Sequence, residues 1–423
     1  MIDVNDNKIP VLAAPLQGVT DNVWRMAQHI VFGGVDAYYA PFMRVDHGKV
    51  RNKDLRDVDP ERNEGILLIP QILACQPEHA LMMVTALKTM GYRRIDINMG
   101  CPFPPIALHR KGSGMLPYPD LVEELFTALA SVEDVEYSVK MRLGWDSNNQ
   151  WRDILPMMDI LKPVNIAIHP RTGKQQYKGE LDFAQFEALL AASPWPVVYN
   201  GNMRTIQDIE QVTRRYPTLA AVMVGSGLAA NPGMFTPGAS PDEYRRFHDL
   251  LVEGYTEQLN GGEAQLVRHL QDIWQTFLPG TAHKLFKAIR KSRTIDQYET
   301  AAYNGDGETY SITGFVNGVS GTIKASYKFT KGSFVLSPQY AGMYGSSYYI
   351  WLLAYSSTEG LSWDPDIQFK GKNSATTPLK ITFSASGWQT IWAGAFEADP
   401  PTGDSYAGYL QQYTDPLVFE RVE

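Results

Sequence analysis

Cysteine is scarce in this sequence, with Cys75 and Cys101 alone among 423 residues. Two cysteines are too few for a disulfide framework, so the disulfide-stapled class of secreted protein is excluded and a reducing compartment is favoured. Positive charge is also limited, with 38 lysine and arginine residues against 46 acidic ones and a net charge of −8. This balance argues against a generally basic nucleic-acid coat but does not exclude a local basic patch.

Long apolar segments and targeting signals are absent as well. No apolar run approaches the roughly 18 residues that a membrane span needs. The polar, acidic stretch from Met1 to Lys8 lacks the charged-then-apolar pattern of a secretory signal. We therefore predict a cytoplasmic protein with no membrane association, and we expect a monomer that holds no metal ion. Its length predicts two or three domains with a large core.

A repeated unit runs from Val11 to about Gly227. In each unit a short apolar run ends in glycine, proline or a polar residue, and an amphipathic helical stretch follows. Alternating strands and helices predict a parallel sheet, and eight units in roughly 230 residues predict a (β/α)8 barrel. A doubly wound open sheet is the alternative, disfavoured because no G-x-G-x-x-G follows the first strand. The predicted strands cover residues 11–15, 35–41, 67–72, 94–99, 137–143, 165–169, 196–200 and 220–225.

Chemistry in such a barrel is expected at the carboxyl ends of the strands. The fourth end carries one of the two thiols, in the stretch Asp96-Ile-Asn-Met-Gly-Cys-Pro102. A free cysteine is more often a small buried hydrophobe, so position alone leaves both interpretations of Cys101 open. Glycines follow the last two strands, in Asn200-Gly201-Asn202 and Gly225-Ser226-Gly227. Their backbone N–H groups predict a phosphate site.

These motifs, in this order, resemble those of the tRNA-dihydrouridine synthases. Besides residues 96–102, the similar segments are residues 14–21, 139–144, 168–172, 199–202 and 224–232, within about residues 8–300. The resemblance implies a (β/α)8 barrel that binds FMN and a small helical domain behind it. It also implies an enzyme that uses NADPH to reduce the 5,6 double bond of particular uridines in tRNA.

The resemblance implies a role for each matching residue. Cys101 would be the general acid that protonates uracil C5 after hydride reaches C6, and Asn98 would lie beside the target base. Lys140 would sit at the flavin ring, and we expect Arg171 to contact the substrate. The implied cofactor-binding residues are Pro15, Leu16, Gln17, Gln71, Lys140, His169, Asn200, Gly201, Asn202, Gly225 and Ser226.

The alternation of strand and helix patterns stops in residues 241–300. The pattern predicts three amphipathic helices, at residues 244–257, 264–277 and 281–291. The last helix carries Lys284, Lys287, Arg290 and Lys291, and the spacing of the three lysines places them on one face. Such a run is usually a solvated surface. The resemblance favours contact with tRNA phosphates instead, because the helical domain of the family grips tRNA.

The tail beyond residue 302 has a different composition. It holds 11 of the 22 tyrosines but few cations, and alternating runs at 321–330, 348–355, 379–384 and 390–396 predict short strands. This pattern indicates an all-β sandwich of unknown role. In a domain of this kind, tryptophans more often pack in the core than form a carbohydrate-binding platform on the surface. They are Trp351, Trp363, Trp388 and Trp392.

We therefore predict three domains: a catalytic barrel over residues 1–240, a helical tRNA-binding domain over 241–302, and a β-rich accessory domain over 303–423. Two alternatives remain open at this point. One is another FMN barrel oxidoreductase, acting on a free pyrimidine or an enone. The other is a protein that binds a carbohydrate or another ligand through its β domain.

Overall fold

The computed structural model describes residues 9–279, 281 and 283–304, and the backbone of eight strands in the tail. The chain divides into two compact units, one ending at Pro237 and the other beginning at Gly238. No helix in the described part is long and apolar enough to cross a membrane. The domain bounds predicted above stay a prediction.

The first unit is a closed barrel of parallel strands, which confirms the (β/α)8 prediction. Its strands are β1 (Val11–Ala13), β2 (Ala37–Tyr39), β3 (Leu68–Ile69 and Gln71–Ile72), β4 (Arg94–Met99), β5 (Glu136–Gly144), β6 (Ile166–Thr172), β7 (Val197–Tyr199) and β8 (Ala221–Val224). Pro70, which has no N–H to donate, divides β3 in two. The first half of β3 pairs with β2 and the second half with β4, while β1 pairs with β8, so the sheet closes.

Helices connect the strands. They are α1 (Asn22–Val31), α2 (Asn52–Asp57), α3 (Pro77–Thr89), α4 (Pro104–Ala107), α5 (Pro119–Ala130), α6 (Trp151–Ile154), α7 (Met158–Leu161), α8 (Phe183–Ala192), α9 (Ile206–Arg215) and α10 (Ser226–Ala230). The local sequence explains why several of these helices begin where they do. The helices α3 and α5 begin with proline, whose missing N–H costs nothing there. Thr205 and Asp208 form a capping box at the start of α9.

The barrel interior has an apolar side and a polar side. On the apolar side, mostly small and aliphatic side chains on or next to β1, β2, β3, β6, β7 and β8 form one cluster together with the ring of Tyr39. On the polar side, Gln71, Asp96 and Ser138 are fully buried and align across β3, β4 and β5. Buried polar groups are costly unless they are hydrogen-bonded. The side chains of the polar side therefore have to hydrogen-bond one another. They lie below the strand ends that carry the predicted site.

The second unit contains α11 (Pro241–Gln258), α12 (Gly262–Ile273), α13 (His283–Lys291) and α14 (Ile295–Asn304). The prediction of three helices was wrong, because it missed α14. The N–H of Gln297 donates to Thr294 Oγ1 at 3.2 Å at the start of this helix, a cap that the Thr-x-x-Gln spacing encodes. Tyr298 anchors α14, since its hydroxyl contacts His248 Nε2 at 2.6 Å and accepts from Trp274 Nε1 at 2.7 Å.

The tail strands form two antiparallel sheets. In chain order the strands are β9 (Thr309–Ile312), β10 (Ile323–Phe329), β11 (Gly332–Leu336), β12 (Tyr349–Ser356), β13 (Ile367–Gly371), β14 (Lys380–Phe383), β15 (Gly387–Phe396) and β16 (Leu417–Arg421). The sheet orders are β9-β16-β11-β14 and β10-β15-β12-β13. The sandwich arrangement stays a prediction. The tryptophan side chains on which the carbohydrate alternative depends lie outside the described residues, as does Trp363 altogether.

An aromatic cluster packs α8 and α9 against β7, directly below the predicted cofactor loop. Phe186 is fully buried, and its ring lies edge-on to Tyr199 at 5.1 Å and to Tyr216 at 5.2 Å between centroids. Phe183, on the same helix, is only partly buried.

We expect Phe186→Ala to lower the free energy of unfolding by about 3–5 kcal/mol, because it leaves a cavity between two rings. Phe183→Ala is the matched control, and its loss should be clearly smaller. Urea denaturation of both variants measures the difference. Equal losses would show that this cluster does not hold α8 on the barrel.

Candidate active site

The strand register brings the predicted site residues together. Asn98 on β4 is the cross-strand neighbour of Lys140 on β5, and Arg142 on β5 is the neighbour of His169 on β6. Cys101 lies two residues beyond the end of β4. The ends of three adjacent strands therefore carry a thiol, an amide, an imidazole and two cations at one rim of the barrel.

The Cys101 turn is held from both sides. The N–H groups of Gly100 and Cys101 donate to Asn98 Oδ1, at 3.1 and 2.8 Å. The Cys101 carbonyl accepts from the N–H of Ser113 at 3.1 Å and from its hydroxyl at 2.8 Å. Gly112 has a φ of +59°, and a Cβ there would lie 2.9 Å from Cys101 Cβ. Sequence reasoning missed this clamp, although the Lys-Gly-Ser-Gly run beginning at residue 111 signalled a close approach.

The Cys101 thiol is half-buried. Burial raises the pKa of the Cys101 thiol, against smaller opposing effects from the Phe103 backbone, Arg142 and Lys140. The thiol is therefore protonated at neutral pH and can donate a proton. A cysteine that acts as a thiolate nucleophile would need a lowered thiol pKa instead.

Behind the turn runs a chain of buried side chains that hydrogen-bond one another. Asn98 Nδ2 donates to Gln71 Oε1 at 2.7 Å, and Gln71 Nε2 donates to Asp96 Oδ2 at 2.6 Å. Ser138 Oγ donates to Asp96 Oδ1 at 2.6 Å. Sequence reasoning named Gln71 and Asn98 but missed Asp96 and Ser138. An acidic residue inside an otherwise buried strand was the available signal for Asp96.

Three cations, Lys140, Arg142 and Arg171, lie in the carboxyl-terminal halves of β5 and β6. Burial and, to a smaller extent, nearby Arg142 lower the pKa of Lys140 to about 8, while Asp96 opposes the shift. Arg142 is buried and donates to three carbonyls, those of Gly100 at 3.0 Å, Thr172 at 2.9 Å and Gln176 at 2.6 Å. Among the described residues, neither these two cations nor Arg171 forms an ion pair. The rim therefore has an uncompensated positive potential that favours an anion.

Arg171 lies among the predicted cofactor residues. Its NH1 nitrogen donates to Asn202 Oδ1 at 3.1 Å and contacts His169 Nε2 at 3.2 Å. A guanidinium only donates, so Nε2 accepts and His169 is neutral. Burial also lowers the pKa of His169 well below its ordinary value, and the cations around it act in the same direction. The expected contact between Arg171 and the substrate stays a prediction.

The loops after β7, β8 and β1 pack closely together. Asn200 Nδ2 donates to the Met223 carbonyl at 2.7 Å, which joins β7 to β8. A Cβ on Gly225 would lie 3.2 Å from Ala14 Cβ, and one on Gly227 would lie 2.1 Å from the Met203 carbonyl oxygen. Glycine is required at the second of these positions, because backbone cannot give way. Most of the remaining predicted residues lie in the same loops, namely Pro15, Leu16, Gln17, Gly201 and Asn202, whereas Ser226 is the first residue of α10.

The predicted cationic face lies on α13, in the second unit. Lys287, Arg290 and Lys291 are exposed, whereas Ile289 on the same helix is fully buried. The side chain of Lys284 lies outside the described residues. Burial of the apolar side leaves the described cations facing solvent.

A closed parallel barrel with a protonated thiol, amides and uncompensated cations at its strand ends defines a barrel enzyme that acts on an anionic ligand. The chain belongs to the dihydrouridine synthase family, whose model matches residues 11–300. This confirms the resemblance found in the sequence. The flavin-dependent character of the enzyme follows from the family.

Named sequence relatives agree with the family assignment. The chain is 27% identical to tRNA-dihydrouridine synthase B of Pasteurella multocida over 275 residues, which cover 63% of this chain and 78% of that protein. It is 33% identical to a probable tRNA-dihydrouridine synthase of Rhizobium leguminosarum over 311 residues, which cover 69% and 93%. The old yellow enzyme of Trypanosoma cruzi aligns with a TM-score of 0.39 at 11% identity, over 57% of this chain and 88% of that one. This last similarity is too low to carry an argument.

In a protein carrying Cys75→Ala, Cys101 is the sole thiol, and we expect its alkylation by iodoacetamide to reach half its maximal rate at a higher pH than for a free thiol. The thiolate is the nucleophile, and burial raises the pKa of the Cys101 thiol. Mass spectrometry of the product between about pH 6 and pH 10 measures this midpoint, with urea-unfolded protein as the reference. A midpoint at or below that of the unfolded protein contradicts the assignment.

Proposed function

We propose that this protein reduces the 5,6 double bond of specific uridines in tRNA to dihydrouridine, with FMN as cofactor and NADPH as reductant. The observation that carries the proposal is the protonated Cys101 thiol, held beside Asn98 at the rim of the barrel. Membership of the dihydrouridine synthase family supports the reaction. The names of the relatives from Pasteurella multocida and Rhizobium leguminosarum support tRNA as the substrate.

The residues at the rim fit FMN. Lys140, Arg142 and Arg171 supply positive charge without an ion-pair partner among the described residues. The glycine-rich ends of β7 and β8 leave backbone N–H groups for a phosphate. The chemistry that bound FMN would supply is transfer of a hydride from NADPH to uracil C6.

Each rim residue then has a role in holding the cofactor. The Lys140 ammonium would face the flavin ring and stabilise negative charge there, since the pKa of about 8 leaves it mostly charged at neutral pH. His169, which is neutral, would hold the ribityl phosphate together with Asn200, Gly201, Asn202, Gly225 and Ser226. Pro15, Leu16, Gln17 and Gln71 would line the ring.

Cys101 completes the reaction. Hydride addition at C6 leaves negative charge on the uracil that a proton at C5 removes, and the Cys101 thiol donates that proton. Asn98 lies beside the target base and holds the Cys101 turn at the same time. The uridine has to leave its base stack to enter such a site, so the enzyme acts on an extruded nucleotide.

The family does not favour the two alternatives. Turnover on free uracil or an enone without tRNA would support the first alternative. Loss of all function when the β domain is removed, with no FMN bound by the purified protein, would support the second.

Cys101→Ala should lower the rate of tRNA reduction by about 10²–10⁴-fold, because only protonation at C5 is removed. FMN content and NADPH oxidation should stay near the values of the unaltered protein. Cys75→Ala is the matched control and should leave all three quantities unchanged. Dihydrouridine in tRNA, counted by mass spectrometry, gives the rate. Normal dihydrouridine formation by Cys101→Ala would exclude Cys101 as the general acid.

The exposed cations of α13 provide a surface for the tRNA backbone. The remainder of the chain is acidic overall, and the tail carries 7 lysine and arginine residues against 11 acidic ones from residue 301 on. Phosphate contacts dominate the affinity of nucleic-acid binding and weaken as salt rises. We therefore assign tRNA contact to Lys284, Lys287, Arg290 and Lys291 rather than to the tail.

Reversing Lys284, Lys287 and Lys291 to glutamate should raise the KM for tRNA steeply and leave NADPH oxidation unchanged. The effect should be largest at low salt, where charge interactions are least screened. Reversal of Lys49, Lys53 and Lys162, three exposed lysines of the barrel unit, is the control. Steady-state kinetics at two ionic strengths measure both. An equal rise in KM for the two variants would show a net-charge effect instead of a binding face.

A further inference from the structure

The four-residue chain Ser138–Asp96–Gln71–Asn98, which we call the interior relay, joins the polar side of the barrel to the Cys101 turn. We propose that Asp96 is a positioning residue. Its carboxylate sets the direction of every hydrogen bond in the interior relay and thereby holds Asn98 Oδ1 toward the Cys101 backbone. The inference rests on the proposed function of Cys101, but its first test does not require activity.

The donor and acceptor of each hydrogen bond in the interior relay follow from its end at the Cys101 turn. A backbone N–H can only donate, so Gly100 and Cys101 require an oxygen from Asn98. The Asn98 nitrogen then faces Gln71, which has to present its own oxygen there. The Gln71 nitrogen consequently faces position 96 and needs an acceptor.

Asp96 supplies that acceptor. An ionised carboxylate accepts and cannot donate, so Gln71 has only one amide orientation that avoids opposing donors or acceptors. The same orientation follows from both ends of the interior relay. An amide that could flip in either direction would otherwise leave Asn98 free to turn its nitrogen toward Cys101.

Protonation of Asp96 leaves the donor and acceptor of the hydrogen bonds between Asp96, Gln71 and Asn98 unchanged. Burial raises the pKa of Asp96 to about 6, against opposing effects of Ser138, Gln71 and Lys140. Tyr39 on β2 also faces this carboxyl. Ser138 Oγ is a hydroxyl that can donate or accept, so a proton on Oδ1 leaves Oδ2 available to Gln71. The unaltered interior relay should therefore hold the Cys101 turn on either side of pH 6.

Two isosteric substitutions test the direction without changing volume. In Gln71→Glu, two carboxyls face each other, and one shared proton is needed to replace the hydrogen bond from Gln71 to Asp96. As pH rises that proton is lost, and the two charges repel. In the exchanged protein, Gln71→Glu with Asp96→Asn, the nitrogen of the residue at 96 donates to the carboxylate at 71. That carboxylate still accepts from Asn98, and no proton has to be shared.

The first measurement is hydrogen exchange of the Gly100 and Cys101 amides in FMN-free protein between about pH 6 and pH 9, expressed as protection factors. We expect constant protection in the unaltered protein and in the exchanged protein. In Gln71→Glu we expect protection of these amides to fall by about tenfold across this range, while the rest of β4 changes little. Ser138→Ala is the control, since it leaves the contact of Asp96 with Gln71 in place, and its protection should stay constant with pH.

The second measurement is single-turnover reduction of saturating tRNA in FMN-loaded protein. The rate for Gln71→Glu should fall with rising pH in parallel with amide protection, and the exchange with Asp96→Asn should remove that added pH dependence. Constant protection in Gln71→Glu across the pH range would overturn the proposal. So would a fall in protection that the exchange does not reverse. If protection changes as expected while tRNA is not reduced by any variant or by the unaltered protein, the positioning inference stands and the proposed function fails.

Discussion

The closure of the parallel sheet at β3 is the constraint on which the rest of the barrel depends. Pro70 interrupts the strand, yet the residues on either side pair in opposite directions around the barrel, with β2 and with β4. Closure leaves the sheet without an edge and satisfies its backbone groups. It also brings eight strand ends to one rim. Residues that are far apart in the sequence become neighbours there for this reason, as when the N–H of Ala14 donates to the Val224 carbonyl at 2.8 Å.

The polar side of the interior is the second consequence of closure. Gln71 and Asp96 align across β3 and β4, and Asp96 and Ser138 align across β4 and β5. A barrel of this size usually fills its interior with aliphatic layers. Here one side of the interior is a hydrogen-bonded chain, which is costly unless every member finds its partner. The same chain supports Asn98 and, through it, the turn that carries the thiol.

Electrostatics at the rim follow from burial of like charges. Lys140, Arg142 and Arg171 share a small region, and burial lowers the pKa of each. Arg142 relieves its own desolvation by donating to three carbonyls, one of which belongs to Gly100 in the Cys101 turn. The cation that contributes to the anion site thus also holds the proton donor in place. A neutral His169 among these charges adds hydrogen-bonding capacity without adding repulsion.

The sequence by itself determined the eight-unit repeat, the positions of the strand ends and the motif around Cys101, because periodicity and turn residues are local properties of the chain. It could also have identified α14, since the Thr-x-x-Gln cap is local. Tertiary structure alone decided that Asp96 faces Gln71, that Ser113 clamps the Cys101 carbonyl and that Arg171 reaches Asn202. The contacts of Asp96 with Gln71 and of Arg171 with Asn202 depend on strand register, which brings together residues 25 and 31 positions apart. The contact of Ser113 with Cys101, 12 positions apart, depends on how the segment after β4 folds back. No local pattern encodes such a register, so the interior relay became visible only in the folded protein.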